Sequence, residues 1–328
     1  MSLAPVLVEL HRGGHLESVH RGHAVICDAK GEIVEAWGDP DALIFPRSAC
    51  KMVQALPLVE AGLTLTSEQL ALACASHEAA PIHTSRVAQW LEDLGLEDND
   101  FRCGPQMPRD RGEKVRLIKA DESPCRIHNN CSGKHAGFLT LTRHLDAGPD
   151  YVALDHPVQQ MVRDAFEDVT GMSSPGYGVD GCSAPNFLTS VHGLARAMAF
   201  FAAAQTRATV RSKAAAQLTE AMMAHPDLVA GEGRACTELM RAMEGKVAIK
   251  TGAEGVFVAI VPERQLGIAV KMADGATRAA EGAIVGLLSR VGALDPSHPA
   301  ALKRLGGPIL NWDGLEVGRT VAADALRA

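Results

Sequence analysis

The sequence predicts an α/β (α+β) protein in which one antiparallel sheet is formed from both ends of the chain. Strand-forming runs lie in the first fifty residues, helix-compatible patterns fill residues 47–245, and strand-forming runs return from residue 246. Strands on either side of a helical middle pair most simply with each other. We expect a single unit over residues 1–328 with two sub-lobes and a cleft between them. The sheet lobe would comprise residues 1–60 with 206–328, and the helical lobe residues 61–205.

The N-terminal strands are predicted from short runs rich in β-branched residues at positions 6–10, 20–27 and 33–37. Gly13-Gly14 and Ala29-Lys30-Gly31 lie between these runs and are typical of turns. A sheet that begins at the N-terminus therefore needs its remaining strands from elsewhere in the chain.

The helical middle and the returning strands follow from a change in pattern. Helices are expected at residues 67–75, 83–94, 157–169, 193–205 and 210–224. Strands are expected at 246–250, 255–261 and 266–272, with residues 262–265 as a hairpin turn and a helix at 277–291. The segment after residue 299 is weakly patterned and predicts no element.

Composition excludes several classes of protein. The 328 residues carry a net charge of −7, and their 32 Lys and Arg are dispersed, which argues against a nucleic-acid or anionic-membrane surface. We see no apolar run of about 18 residues for a membrane helix and no secretory signal. Eight scattered cysteines are then expected to be thiols or metal ligands. We expect a cytoplasmic protein, with a homodimer as the commonest assembly.

Ser48 and Lys51 form the first candidate catalytic motif, Ser-x-x-Lys. Residues three apart share one face of a helix, so the Lys51 amine would lie within reach of the Ser48 hydroxyl. A serine needs such a base to act as a nucleophile, and Pro46 suits the start of a helix. Serine β-lactamases and penicillin-binding proteins use this spacing. Alone, the motif is equally typical of a solvated helix face.

Lys250-Thr251-Gly252 is the second motif, at the end of a predicted strand. In hydrolases with Ser-x-x-Lys, a Lys-Thr/Ser-Gly triplet on the sheet edge lines the same cleft. Its cation can hold a carboxylate or move a proton, and its glycine lets substrate approach the backbone. The triplet therefore supports a catalytic role for Ser48.

A third element departs from the penicillin-recognising pattern, because no Ser-Asp-Asn occurs. Ser76, where a helix of the lobe ends, and Ser132 are the candidates to replace it. A hydroxyl at Ser76 could relay a proton between Ser48 and a leaving group. The alternative role for Ser76 is a hydrogen bond at the helix terminus.

Two glycine-rich segments, residues 128–137 and 176–185, concentrate metal-capable side chains. Cys131, Asp180 and Cys182 could supply three zinc ligands. His135 is the usual choice for a fourth ligand, since the amine of Lys134 must lose a proton to bind a metal. Two buried thiols in substrate loops are the alternative.

Taken together, these segments resemble the asparaginase II family, the type first described in Rhizobium. The resemblance covers most of the chain, through residues 8–13, 45–48, 74–77, 128–135, 177–182 and 250–255. It implies a fold similar to serine β-lactamases and glutaminases and the hydrolysis of L-asparagine to L-aspartate and ammonia. It also implies two Ser-Lys pairs, Ser48 with Lys51 and Ser76 with Lys250, and a zinc site built from Cys131, Lys134, Asp180 and Cys182.

A mechanism follows from this resemblance. Lys51 would deprotonate Ser48, which attacks the side-chain amide, while Ser76 passes a proton to the departing ammonia and zinc helps to orient the substrate. A planar guanidinium suits the α-carboxylate of the substrate and a carboxylate suits its α-ammonium. The residues expected to bind the substrate are Arg47, His128, Asn129, Asn130 and Glu254.

Other functions fit parts of the pattern. A glutaminase, or another serine amidohydrolase of the same fold, differs by as little as one methylene in the substrate. A zinc hydrolase would use Cys131, Asp180, Cys182 and His135, with Ser48 incidental. A small-molecule binding protein would keep the cleft without turnover.

Overall fold

The computed structural model describes residues 4–327, and its strands are numbered here in chain order. They are β1 (Val6–Arg12), β2 (His15–Cys27), β3 (Ile33–Trp37), β4 (Leu43–Ile44), β5 (Tyr177–Val179), β6 (Pro185–Phe187), β7 (Thr189–Ser190), β8 (Ala248–Thr251), β9 (Val256–Val261), β10 (Leu266–Met272), β11 (Pro308–Leu310) and β12 (Glu316–Ala322).

Short 3₁₀ turns lie between some of the helices. The helices are α1 (Lys51–Gln54), α2 (Leu56–Glu60), α3 (Ser67–Ala73), α4 (Pro81–Asp93), α5 (Arg111–Ala120), α6 (Ser132–His144), α7 (Pro157–Thr170), α8 (Val191–Ala202), α9 (Val210–Ala224), α10 (Pro226–Val229), α11 (Ala235–Ala242), α12 (Thr277–Arg290) and α13 (Pro299–Leu302).

The main sheet is antiparallel and joins both ends of the chain, which confirms the predicted fold class. Its strand order is β11-β12-β1-β2-β10-β9-β8, and β3 pairs with β2 outside this path. Val25 of β2 lies opposite Ala269 of β10, and Leu10 of β1 lies opposite Thr320 of β12. The predicted hairpin of β9 and β10 is present, with a 3₁₀ turn at Pro262–Arg264 between them.

The chain forms two compact units with boundaries that differ from the predicted ones. The sheet unit contains residues 4–49, 189–203 and 238–327, and the helical unit contains residues 50–188 and 204–237. The segments 50–60 and 206–237 therefore belong with the helices, since α1, α2 and α9 pack among α3, α6 and α7. Helix α8, predicted in the helical lobe, instead packs on β2, β9 and β10.

Glycine at position 267 explains how closely α8 approaches the sheet. A Cβ atom built there would lie 2.0 Å from the backbone nitrogen of Ala199 and 2.3 Å from the carbonyl oxygen of Ala195. No side chain fits in that space, so the helix backbone rests directly on β10. The contact holds β10 in place at its start. The other end of β10 pairs with the start of β9, next to the turn that follows β8.

Candidate active site

Ser48 lies in a 3₁₀ turn, Arg47–Cys50, and not in an α-helix as predicted. The turn begins with Arg47 in the left-handed region, at φ 52°, a conformation that costs energy for a residue other than glycine. The amide of Ala49 donates to the carbonyl oxygen of Pro46 over 3.1 Å. Ser48 is half-buried and Ala49 is fully buried. The turn therefore holds a partly accessible hydroxyl on a strained, well-packed backbone.

The end of β8 lies against this turn, within the same unit. A Cβ atom at Gly252 would lie 2.8 Å from the carbonyl oxygen of Pro46 and 3.2 Å from the amide nitrogen of Ala49. Only glycine allows this approach, so the structure brings the Lys-Thr-Gly triplet beside the Ser48 turn. The Lys250 side chain is 1% exposed, and its amine donates to the carbonyl oxygen of Thr251 over 2.9 Å.

In the helical unit, Lys51 begins α1 and its buried amine has three partners. The Lys51 Nζ donates to Ser76 Oγ over 3.0 Å, to Cys131 Sγ over 3.1 Å and to the carbonyl oxygen of Ala75. The resemblance pairs Lys51 with Ser48 and Ser76 with Lys250, and both pairings stay predictions. The structure adds a direct hydrogen bond between Lys51 and Ser76, so one amine donates to both the Ser76 hydroxyl and the Cys131 sulphur.

Ser76 reaches this position because α3 ends at Ala73, three residues before it. The C-cap of α3 is Cys74, and the Ser76 amide then donates to the carbonyl oxygen of Val229 over 2.9 Å. Helix α6 packs closely on the same end, since a Cβ atom at Gly133 would lie 2.4 Å from the carbonyl oxygen of Leu72. This contact places Cys131, the N-cap of α6, beside Ser76.

Two of the predicted metal ligands form a buried thiol pair with Lys134. A hydrogen bond to Cys182 raises the pKa of Cys131 well above its ordinary value and lowers the pKa of Cys182 well below it. The Lys134 amine donates to Cys182 Sγ over 3.1 Å. Burial alone would lower the pKa of Lys134, but the Cys182 and Cys131 sulphurs raise it. The arrangement fits a Cys182 thiolate that accepts a hydrogen bond from the charged Lys134 amine, beside a protonated Cys131.

Asp180, the fourth predicted ligand, is half-buried near this pair. Its carboxylate accepts from the Gly181 amide over 2.7 Å, and its charge acts on both Lys134 and Cys50. Burial raises the pKa of Cys50 to about 12, which describes an unreactive thiol beside the site. The sequence left the role of Cys50 open, and the burial of this side chain indicates a role in packing.

Zinc is compatible with this donor set. Within residues 4–327, no group of three or more His, Cys, Asp and Glu side chains is arranged to hold a metal ion. Two sulphurs and one amine do converge, and they become zinc ligands once the Cys131 thiol and the Lys134 amine each give up a proton. The residues that would hold the ion are Cys131, Lys134 and Cys182, with Asp180 nearby.

The predicted substrate-binding residues of the helical unit differ in their availability. His128 Nδ1 accepts from the Cys125 amide over 3.1 Å, and its Nε2 lies 3.4 Å from Glu113 Oε1. Asn129 donates to the carbonyl oxygen of Gly104 over 2.8 Å and accepts from the Cys131 amide over 2.9 Å. Both side chains are therefore engaged in holding their own loop.

Asn130 lies closer to the candidate chemistry. Its side-chain oxygen accepts from Cys131 Sγ over 3.1 Å, and its backbone N–H donates to Gln106 Oε1 over 3.0 Å. Gln106 is a positioning residue that the sequence did not reveal, because it lies in a loop without secondary structure. Of the three consecutive residues, Asn130 best keeps a substrate-binding role.

In the sheet unit, Glu254 lies exposed on the turn after β8, and Arg47 is half-buried. Glu254 is in the left-handed region at φ 57°, and its carbonyl oxygen accepts from the amine of Lys271 over 2.6 Å. The same amine donates to the carbonyl oxygen of Met272 over 2.7 Å. Lys271, which sequence reasoning missed as an ordinary strand residue, therefore fastens the Glu254 turn to β10.

His77, next to Ser76, is fully buried and neutral. The Ala79 amide donates to His77 Nδ1 over 3.1 Å, so Nε2 carries the proton and donates to Ser132 Oγ over 2.9 Å. Ser132 in turn donates to the carbonyl oxygen of Ile127 over 2.8 Å. Burial, together with the charge on His83 and Lys51, lowers the pKa of His77 well below its ordinary value.

This histidine predicts an acid-sensitive fold. Below about pH 6.5 the unfolded chain protonates His77 and the folded chain does not. The free energy of unfolding therefore decreases as the pH is lowered. One such group contributes a slope of up to about 1.4 kcal/mol per pH unit. Urea denaturation at several pH values should show a shallower slope of stability against pH for His77→Gln than for wild type, with the exposed His15→Gln as the control. An unchanged slope for His77→Gln would contradict this account.

The chain was compared with family profiles and with curated protein sequences. The profile of the L-asparaginase II family matches residues 8–322. No curated protein sequence matches the chain. Among the described residues, no helix combines the length and apolar character required to cross a membrane.

Solved structures show distant likeness. A crystal structure of Mglu has 14% identity and a TM-score of 0.49, with 84% of this chain and 67% of that chain covered. Mglu in its tris and glutamate form has 14% identity and a TM-score of 0.48, with 89% of this chain covered, but the match spans only 64% of Mglu. A candidate beta-lactamase from Bacteroides dorei DSM 17855 has 11% identity and a TM-score of 0.43, with coverages of 76% and 84%. Because the family profile spans nearly the whole sequence, the chain belongs to the L-asparaginase II family.

Proposed function

We propose that the protein is an L-asparaginase that hydrolyses the side-chain amide of L-asparagine to L-aspartate and ammonia. Membership of the L-asparaginase II family makes the chain an amidohydrolase. The observation that carries the finer assignment is the Ser48 turn, with its strained Arg47 and the close approach of Gly252. A serine on strained backbone beside a Lys-Thr-Gly strand end is suited to nucleophilic catalysis.

The nucleophile is Ser48 and its base is Lys51. Lys51 follows Ser48 by three positions, a spacing that favours a hydroxyl and an amine on one side of a helical turn. As the neutral amine, Lys51 takes the hydroxyl proton, and Ser48 Oγ attacks the side-chain amide carbon of the substrate. Backbone N–H groups stabilise the resulting oxyanion.

Proton delivery to the leaving group uses Ser76. Because Lys51 Nζ lies 3.0 Å from Ser76 Oγ, the proton taken from Ser48 can pass through Lys51 to Ser76 and then to the departing ammonia. Water then hydrolyses the aspartyl ester on Ser48 by the reverse route. Lys250 completes the proposal as the second partner of Ser76.

Substrate recognition divides by charge. Arg47 would pair with the α-carboxylate of asparagine, and Glu254 would pair with its α-ammonium. The Lys271 hydrogen bond to the Glu254 carbonyl oxygen keeps that turn in place. In the helical unit, Asn130 is left to contact the polar substrate, while His128 and Asn129 support the loop that carries it.

Zinc would be held by Cys131, Lys134 and Cys182, with Asp180 beside them. When bound, it supplies a Lewis acid that polarises and orients substrate groups. The serine already provides the nucleophile, so zinc has no need to generate hydroxide.

A cytoplasmic location and a homodimer complete the proposal. Cell fractionation tests the location, and analytical ultracentrifugation tests the assembly.

The function is tested by measuring ammonia release from L-asparagine and L-glutamine with the purified protein. We expect kcat/KM to favour asparagine by about 10–200-fold, the range that one methylene provides in a fitted pocket. A preference for glutamine would make the protein a glutaminase, equal efficiency with both amides would contradict the asparagine assignment, and release from neither substrate would refute the proposal.

Chelator-treated protein tests the role of zinc. We expect it to keep its turnover at saturating asparagine and to show a raised KM, which zinc addition reverses. Loss of turnover at unchanged KM would instead assign the chemistry to the metal.

A further inference from the structure

The turn between β11 and β12, residues 310–315, carries three exposed apolar side chains. Trp312 is fully exposed at its tip, and Leu310 and Leu315 on either side are each more than half exposed. The side-chain oxygen of Asn311 holds the turn, since it accepts from the backbone N–H groups of Asp313 over 3.0 Å and Leu315 over 2.9 Å. One exposed apolar residue is ordinary, but a tryptophan between two leucines on an ordered turn is typical of a contact surface.

A groove of about 750 Å³ lies beside this turn, on one face of the sheet. Val317, Arg319 and Val321 line it from alternate positions of β12, so their side chains share that face. Helix α12 packs on the opposite face, since a Cβ atom at its Gly282 would lie 3.5 Å from the Val8 side chain of β1. On the side of the groove, α8 packs mainly on β2, β9 and β10. The outer strands therefore have one covered face and one open face.

The arginines of the groove suit an aromatic occupant. Arg12 and Arg319 line the groove, and both side chains are about half exposed. Arg12 Nε donates to Glu17 over 2.8 Å, and Arg319 Nε lies 2.6 Å from a Glu316 carboxylate oxygen. Bonds of this kind lie in the plane of the guanidinium and leave its faces to stack on an aromatic ring. A tryptophan in the groove would therefore find stacking partners as well as apolar contact with the valines.

The turn and the groove complement each other, but not within one chain. Trp312 does not fill its own groove, because its side chain is fully exposed. In a two-fold interface the same patch lies on both subunits, so each copy can insert its tryptophan into the groove of the other. Asp313, exposed beside Trp312, would then approach the arginines of the partner groove. A second copy of the chain is thus the occupant that the surface fits.

We propose that the turn at residues 310–315 and the adjacent groove form the interface of a two-fold homodimer, with each Trp312 inserted into the groove of the other copy. The inference rests on the proposed function only in its homodimer, and it names the surface that makes the dimer. The residues proposed for catalysis and substrate binding are not part of this surface, so turnover per subunit should not depend on it.

Trp312→Asp tests the turn in analytical ultracentrifugation of the full chain. We expect the dissociation constant of the dimer to rise about 30-fold or more, the scale of a central interface tryptophan. The circular dichroism spectrum should not change, because a fully exposed side chain contributes little to the fold. Ile118→Asp is the matched control, since it places the same charge at an exposed apolar position on α5, and it should leave the dimer unchanged. Wild-type dimer affinity in Trp312→Asp would overturn the proposal.

Val317→Lys tests the groove, and a mixture of the two variants tests the exchange. A lysine at this position fills the groove with a charge, so this variant should also dimerise weakly. In the mixture, the intact Trp312 of Val317→Lys can enter the intact groove of Trp312→Asp, which restores one of the two contacts. We therefore expect a heterodimer that is tighter than either variant alone. A mixture no more dimeric than its separate components would contradict the exchange.

Tryptophan fluorescence reports the surroundings of Trp312 in the wild type. The chain has three tryptophans, of which Trp90 is buried. Dilution from dimer to monomer should shift the emission to longer wavelength and increase quenching by acrylamide, and Trp312→Phe should remove this change. An emission that stays constant while ultracentrifugation shows dissociation would exclude Trp312 from the interface.

These outcomes separate the inference from the proposed activity. The assembly is measured without substrate or metal, so absence of asparagine turnover would refute the activity and leave the interface standing. A wild type that is monomeric at the highest concentration measured would refute the homodimer and this interface, and leave the activity standing. A dimer that neither variant weakens would refute the interface alone.

Discussion

Ser48→Ala is expected to lower kcat for L-asparagine by about 10⁴-fold or more, the scale of loss when a serine nucleophile is removed. Alanine preserves the buried packing of the 3₁₀ turn, because it removes only the hydroxyl of a half-buried side chain. The melting temperature should therefore stay close to that of wild type. Steady-state ammonia release measures the loss, and Ser85→Ala, on the exposed face of α4, is the control.

A second readout identifies the bond that Ser48 forms. Rapid acid quench of wild type with asparagine should trap an aspartyl ester, which mass spectrometry locates on a peptide containing Ser48. Ser48→Ala should trap none. Retention of most activity by Ser48→Ala would refute the serine mechanism and favour the zinc hydrolase, whose reactive centre would be Cys131, Asp180, Cys182 and His135.

Lys51→Met is expected to lower kcat by about 10²–10⁴-fold, the usual contribution of a general acid–base group. The amine of Lys51 is 1% exposed and serves Ser76, Cys131 and the Ala75 carbonyl oxygen. Methionine has a similar length but donates no hydrogen bond, so these acceptors lose the bonds that Lys51 gives them. We therefore also expect a loss of stability of about 1–3 kcal/mol.

Lys51→Arg separates the two effects. Arginine keeps a positive charge and several donors but does not lose its proton, so it cannot act as a base. It should recover part of the stability in urea denaturation and little of the turnover. Lys114→Met, at an exposed position on α5, controls for the loss of a lysine in general. Near wild-type kcat in Lys51→Arg would exclude Lys51 as the base.

Much of the sheet could be predicted because its strands have strong local patterns. Residues 33–37 and 266–272 match β3 and β10 residue for residue, and helix α9 matches its predicted range 210–224. The strands β11 and β12 were missed. Their residues are largely exposed or half-buried, so the sequence shows no apolar face there, and pairing with β1 supplies the order.

The site was predictable in its residue types and less so in its geometry. The predicted helix after Ser48 divides into α1 and α2 because Pro57 lies at the start of α2 and has no N–H to continue the first helix. The contact of Lys51 with Ser76 and Cys131 joins residues far apart in the chain, and no local spacing encodes it. Gln106 likewise acts through a contact that only the folded chain creates.

The pairing of β2 with β10 delays completion of the sheet while the chain is being synthesised. Val25 leaves the ribosome long before its partner Ala269, and ribosomes add roughly 5–20 residues per second. The apolar N-terminal strands therefore wait roughly ten to fifty seconds without their central neighbour. During that interval they are open to mispairing with other nascent chains, so yield in a heterologous host should depend on chaperone capacity and temperature more than on the stability of the finished protein.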